Sequence, residues 1–155
     1  MSNVQTDKKM TGAVMVVGGG ISGMQSALDL AESGFKVYLL DEKPAIGGTM
    51  ARLDKTFPTN DCAMCIMSPK LVDTGRHKNI EIITGAKVKE VTGDPGNFKV
   101  KVAQKARYVD IKKCTGCGDC ASACPVELPN EFNGEIDTRK ATYKLYAQLP
   151  PTPLP

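Results

Sequence analysis

A short apolar run that breaks at once into glycines, then a helical pattern, then a second apolar run, constrains the fold of this chain most. Ala13-Val14-Met15-Val16-Val17 suits a strand buried on both faces. Gly18-Gly19-Gly20-Ile21-Ser22-Gly23 follows directly. Ile21, Met24, Ala27, Leu28 and Ala31 then recur at helical spacing, with Gln25, Asp29 and Glu32 on other faces. Gly34 is placed to end that helix. Val37-Tyr38-Leu39-Leu40 reads as a second buried strand, and strand, helix, strand in this order predicts a right-handed crossover between parallel strands.

The glycines have the spacing G-x-G-x-x-G, a weak signal alone but a strong one between a strand and a helix. In that arrangement Gly18 allows the tight turn, Gly20 lets a pyrophosphate approach the backbone, and Gly23 lets helix and strand pack closely. The helix N-terminus, at Ile21 and Ser22, offers N–H groups and a positive dipole end to phosphates. Asp41 closes the second strand, where an acid bonds ribose hydroxyls and disfavours a 2′-phosphate. The plain alternative is a glycine turn with no ligand. The next residues, Glu42-Lys43-Pro44-Ala45-Ile46-Gly47-Gly48, give an acid followed shortly by Gly-Gly. That pattern resembles the FAD-binding domain of two-dinucleotide-binding flavoproteins. The resemblance implies FAD rather than NAD, with Glu42, Lys43, Gly47 and Gly48 close to the cofactor. It also places Val88 where the backbone meets the adenine.

The most specific motif lies further on. Cys114-Thr115-Gly116-Cys117-Gly118-Asp119-Cys120-Ala121-Ser122-Ala123-Cys124-Pro125 is C-x2-C-x2-C-x3-C-P, the bacterial ferredoxin run. Its thiolates can wrap a [4Fe–4S] cube, and Gly116 and Gly118 let backbone N–H groups turn toward the sulfurs and tune the potential. A structural zinc site would favour two separated C-x2-C pairs. In two-cluster ferredoxins the fourth cysteine serves the other cluster, and this chain has one run only. Either Cys124 closes a single cluster, or Cys62 or Cys65, from Asp61-Cys62-Ala63-Met64-Cys65, supplies a ligand. The Cys62/Cys65 pair could also serve a second cluster, act as a redox dithiol, or be two buried core residues.

Between these motifs, residues 43–79 read as a loop with short helices near Thr49–Asp54 and Ser68–Gly75. Ile80–Thr84 reads as a third strand. Lys87–Val91 and Phe98–Val102 read as a hairpin with one buried and one wet face, the latter carrying Lys99 and Lys101. His77 reads as a surface loop residue. The expected organisation is a disordered tail over 1–11, an incomplete Rossmann-like FAD/NAD(P)-binding domain over 12–108, a ferredoxin-like segment over 109–130, and an extended, proline-rich tail over 131–155.

Composition narrows function by exclusion. Aromatics are 5% with no Trp, which disfavours a stacking platform for single-stranded nucleic acid, and a net charge of +3 is too mild to imply a nucleic-acid or membrane partner. No apolar run approaches the ~18 residues of a membrane span. The polar N-terminus lacks a signal-peptide core, so a cytoplasmic location is expected. Six cysteines in a reducing compartment point to metal or redox chemistry. No Ser-His-Asp or paired-carboxylate arrangement supports hydrolysis.

Several stretches together resemble one family. Gly47-Gly48-Thr49-Met50-Ala51-Arg52-Leu53-Asp54-Lys55-Thr56-Phe57-Pro58-Thr59-Asn60-Asp61-Cys62 is similar to the A subunits of heterodisulfide reductases. So are Pro69-Lys70, Gly75-Arg76-His77, Gly96-Asn97-Phe98, Arg107-Tyr108-Val109-Asp110 and the Cys114–Pro125 run. The corresponding component of the quinone-interacting oxidoreductase complex is an equally compatible relative. The resemblance implies an α/β fold: a Rossmann-like FAD-binding half-domain, parallel sheet plus β-hairpin, with an appended ferredoxin-like [4Fe–4S] loop. It implies a cytoplasmic flavin and iron–sulfur oxidoreductase subunit that passes electrons within an anaerobic heterodisulfide reductase-like or quinone-interacting complex, fed by an electron-donor protein. No side chain reads as a catalytic acid or base. Asp41 stands where the family usually has Glu, and family members run further, so the chain is expected to be a fragment, a short natural version or half of a split subunit. The alternative is a cluster-only electron carrier or assembly module that holds no flavin by itself.

Overall fold

The computed structural model describes residues 12–110, 113–146 and 152–153. The expected tail over 1–11 and most of the proline-rich end lie outside them. The chain divides into two compact units at Lys105/Ala106.

In the first unit the opening run becomes β1, Ala13–Val17, and the glycines lead into α1, Ile21–Glu32. β2 is Lys36–Asp41 and β3 is Ile80–Thr84. The three strands form one parallel sheet in the order β1-β2-β3, with Val14 opposite Val37 and Leu39 opposite Ile82. All three C-terminal ends therefore share one rim, the edge where open α/β sheets bind ligands. Met24, Ala27, Leu28 and Ala31 of α1 are buried, as are Val37, Leu39 and Leu40 of the central strand β2. β1 departs from the expectation of burial on both faces. It lies at the sheet edge, and Val17 is 63% exposed.

The connection from β2 to β3 holds a 3-10 turn at Met50–Arg52 and a long helix, α2, Ala63–Arg76, whose Ala63 and Met67 are buried. α2 begins earlier than its sequence pattern suggests and carries Pro69 in its interior. A proline there costs one helical hydrogen bond, and the buried face compensates. β4, Ala86–Asp94, and β5, Asn97–Gln104, form the expected hairpin, with a register shift between Val88 and Glu90. The expectation of one buried face fails here: Phe98, Val91 and Val102 are all exposed. The hairpin is a separate two-stranded sheet, so its apolar side stays open to solvent.

In the second unit the described part of 131–155, expected as an extended tail, carries paired strands instead. α3 is a single turn, Asp119–Ser122. β6, Glu127–Pro129, pairs antiparallel with β7, Thr138–Lys140. β8, Thr142–Tyr143, pairs with β9, Thr152–Pro153. Arg139 holds both carboxylate oxygens of Glu131, at 2.6 and 2.9 Å, and stacks 4.1 Å from the Tyr143 ring centroid. These contacts tie Arg139 of β7 to Glu131 and to Tyr143 of β8.

Candidate functional site

The glycine turn joins the end of β1 to α1. Gly18 adopts φ +109°, a conformation L side chains rarely take, and its N–H donates to Leu40 O at 2.7 Å. A Cβ on Gly23 would run into Gly18 O, so close passage of helix over turn demands glycine there. Gly20 differs: a Cβ there would meet nothing within 4 Å. Its backbone borders open space at the helix N-terminus, where the first-turn N–H groups of Ile21, Ser22 and Gly23 have no intrahelical acceptor. Gly20, as the N-cap, brings no side chain to cap them. A constrained Gly18, a blocked Gly23 and an open Gly20 are what a pyrophosphate cradle needs.

Asp41 binds this turn from the neighbouring strand. Its buried carboxylate accepts Gly19 N–H at 2.6 Å and Lys43 N–H at 2.7 Å, one on each oxygen. Each oxygen keeps a second lone pair, so ribose hydroxyls and the turn can share the group. Gly47 N–H donates to Gly19 O at 2.7 Å, and a Cβ on Gly48 would lie 3.0 Å from Gly20 Cα. The Gly-Gly segment is thereby laid against the glycine turn. Gly85 N–H donates to Lys43 O at 2.8 Å, and Lys87 Nζ stands 3.6 Å from Glu42 Oε1. These links bring Val88, half-buried in β4, to the segment that carries Glu42 and Lys43. One rim of the sheet thus gathers Gly18 to Gly23, Asp41 to Lys43, Gly47, Gly48 and Val88. The tie from Asp41 to Gly19 has no sequence signal beyond the acid itself. The open cleft of about 590 Å³ between α1 and α2, lined by Gln25, Asp29, Lys70 and Arg76 among others, holds none of these residues.

In the second unit Cys114, Cys117, Cys120 and Cys124 are free thiols, Cys120 within α3 and the others on the loops around it, with Cys117 and Cys120 exposed. Gly116 and Gly118 both take positive φ, and Gly118 caps α3. Among the described residues no group of three or more His, Cys, Asp or Glu converges so as to hold a metal ion. A [4Fe–4S] cube spreads its thiolates over separate irons, so the fit rests on the donor set, four thiols with two turn-permissive glycines between them. Two positions beyond the motif act on the loop. Lys144 Nζ donates to Gly116 O at 2.8 Å. Hydrogen bonding from the backbone of Thr142 is the foremost cause that holds the Cys124 thiol below its ordinary range. Neither position carries a sequence signal.

Cys62 and Cys65 are the two other cysteines expected as cluster ligands. The structure joins them in a disulfide at the start of α2. Both are exposed, so the buried-core reading fails as well, and in this state neither sulfur is a thiolate able to ligate iron. His77 ends α2, where its Nδ1 accepts Asn79 N–H at 3.2 Å, a local structural role.

Comparison with known proteins places the chain among described families. A family model described as FAD dependent oxidoreductase matches residues 13–108, and one described as 4Fe-4S binding domain matches residues 107–128. The chain is 59% identical over 139 residues to the first of two iron-sulfur A subunits of CoB--CoM heterodisulfide reductase from Methanopyrus kandleri, covering 90% of this chain and 21% of that protein. It is 53% identical over 150 residues to the A subunit of H(2):CoB-CoM heterodisulfide,ferredoxin reductase from Methanothermobacter marburgensis, covering 97% of this chain and 22% of that one. The chain thus spans about a fifth of the length of these relatives. Among solved structures, L-proline dehydrogenase from P. horikoshii aligns with a TM-score of 0.48 and 24% identity over 59% of this chain and 19% of its own.

Proposed function

The chain belongs to the FAD dependent oxidoreductase family and matches the N-terminal part of heterodisulfide reductase A subunits, and from that premise we propose that it is a flavin and iron–sulfur electron-transfer component of a heterodisulfide reductase-like complex. The observation that carries the reading is the glycine turn. It is closed where it must pack, at Gly23, and open where a phosphate must approach, at Gly20.

FAD exchanges electrons singly or in pairs, and a [4Fe–4S] cluster carries them singly. The chain's own part is to bind and orient. N–H groups at Ile21, Ser22 and Gly23 face the pyrophosphate. Asp41 takes the ribose hydroxyls while holding the turn, and Gly47 and Gly48 pass close to the cofactor. Val88 offers backbone to the adenine. Cys114, Cys117, Cys120 and Cys124 supply four thiolates. Glu42, paired to Lys87, and Lys43 border the adenosine end. The partners are other subunits of such a complex and an electron-donor protein. No described helix is long and apolar enough to cross a membrane.

The test is the visible spectrum of the chain purified without oxygen, with iron, sulfide and flavin assayed on the same sample. Flavin bands over a broad iron–sulfur shoulder are the expected result. A shoulder with no flavin, even after FAD is supplied, would move the reading to a cluster-only carrier. A colourless protein that reconstitution leaves colourless sinks both.

A further inference from the structure

The disulfide between Cys62 and Cys65 has no part in the function proposed above, and we propose that it is a thiol–disulfide exchange site that takes an electron pair from a 1,4-dithiol. Three observations carry this. First, both cysteines are exposed, so an external thiolate has access to either sulfur. Second, the crosslink joins residues only three apart in sequence, with Cα atoms 5.2 Å apart. So small a loop constrains the unfolded chain little, because the entropic gain grows with loop length, and a structural role is correspondingly weak.

The third observation is an asymmetry. Cys62 is the N-cap of α2, a helix of fourteen residues, and its Sγ accepts Cys65 N–H at 3.2 Å. Negative charge on Cys62 Sγ therefore meets both a donated N–H and the positive end of the helix. Cys65 Sγ receives no such bond among the described contacts. The segment ahead of α2 is held in place: Lys55 and Cys62 form an antiparallel bridge, Thr56 N–H donates to Asp61 O at 2.8 Å, and Ala63 N–H donates to Asp54 O at 3.0 Å. The pair is presented on a fixed corner.

The chemistry follows from that asymmetry. One thiolate of the dithiol attacks Cys65 Sγ, and a new S–S bond forms there. The Cys62–Cys65 bond breaks, and its electron pair leaves on Cys62 Sγ, the better-stabilised thiolate. The second thiol of the dithiol gives its proton to water and attacks the first, closing a cyclic disulfide and releasing Cys65 as a thiolate, which takes up a proton. The dithiol loses two electrons and the pair gains two. A 1,4-dithiol suits the site better than a monothiol because the second step is then intramolecular and closes an unstrained six-membered ring.

The full chain, reconstituted with iron and sulfide without oxygen, provides the test, with dithiothreitol in defined ratios of its reduced and oxidised forms as the probe. Alkylation and peptide mass mapping should show two sites, Cys62 and Cys65, appearing together as the ratio rises and vanishing together when it is reversed. Two variants, Cys65→Ser and Cys62→Ser, read the asymmetry. At pH 7 the lone Cys62 should react with an aromatic disulfide reagent about tenfold faster than the lone Cys65. Iron and sulfide content should be the same in both variants as in the parent. Loss of iron in either folded variant overturns the proposal in favour of cluster ligation. Equal reactivity of the two thiols, or alkylation sites that do not respond to the dithiol ratio, overturns it as well. The mapping on the parent chain stands even if a variant does not fold.

Discussion

Asp41 is the residue whose removal should reveal most about the glycine turn. Its carboxylate accepts two N–H groups, from Gly19 at 2.6 Å and from Lys43 at 2.7 Å. A hydrogen bond to a charged group contributes about 1.5–3 kcal/mol, and a buried donor left without a partner costs about 1–3 kcal/mol. Gly19 is buried, so its N–H loses its acceptor with no water to replace it. The Lys43 N–H is only partly buried, and water can recover most of that bond. Asp41→Ala should therefore lower stability by about 2–3 kcal/mol. Asp41→Asn keeps one acceptor oxygen but turns an amide donor toward the second N–H, and should lose about 1 kcal/mol. The assay is urea unfolding of the flavin-free chain, followed by circular dichroism. Any loss then arises from the turn alone, and an unchanged slope shows that the unfolded state is unaltered. A loss below about 0.5 kcal/mol in Asp41→Ala would falsify the claim that this carboxylate holds the turn together, since that is the range of neutral surface changes. Repeating the series with FAD in excess separates the second role. A carboxylate that also bonds the ribose makes the variant's deficit grow with FAD concentration and level off at RT times the logarithm of the affinity ratio, because a ligand stabilises the folded state by RT ln(1 + [L]/Kd).

Three other substitutions test the remaining contacts. Gly20→Ala should leave the unfolding curve within about 0.5 kcal/mol of the parent while weakening FAD binding at least tenfold, measured by flavin fluorescence; Gly23→Ala, whose Cβ meets Gly18 O, should damage both. Equal damage from the two would mean that the Gly20 backbone does not face the cofactor. Lys144→Met removes the donor to Gly116 O and should speed iron loss to a chelator severalfold, with unaltered rates counting against a role in shaping the cysteine loop. The hydrogen bond and charge of Lys140 hold the Glu127 carboxyl below its usual range. Because the folded-state value is depressed, that contribution is present above the ordinary carboxylate pKa of about 4.3 and is lost as pH falls through the lower folded value. Amide exchange in β7, compared between the parent and Lys140→Met, should show the parent better protected above pH 5 and the two converging in acid.

The sequence made the first crossover legible because several signals agreed there. Apolar runs, helical spacing and G-x-G-x-x-G all require the same turn, and β1, α1 and β2 fall where those signals put them. Agreement of that kind was missing over 43–79. The helix expected near Ser68–Gly75 starts earlier, at Ala63, and runs through Pro69. What outweighs Pro69 is burial of Ala63 and Met67, a tertiary term that propensity cannot see. The alternation in Phe98, Val100 and Val102 had the opposite fault. Period-two hydrophobicity shows that a strand has an apolar face, but not what covers it, and here Phe98 and Val102 lie open while Val100 is half-buried.

The residues proposed to hold the cofactors divide in the same physical way. Gly18, Gly23 and Asp41 were legible because backbone geometry and a buried charge leave few residue choices, and the structure shows each under that constraint. Lys144 and Thr142 were not legible, because a lysine reaching a carbonyl and a backbone bond to a sulfur require no particular pattern in sequence. Cys62 and Cys65 fall between these cases. C-x2-C spacing is compatible with a metal, a dithiol or a disulfide, and only the cap position decides which sulfur carries charge more easily. The spacing states that chemistry is available. The hydrogen bond from Cys65 N–H to Cys62 Sγ gives that chemistry a direction, and the reactivity of the two single-serine variants measures it.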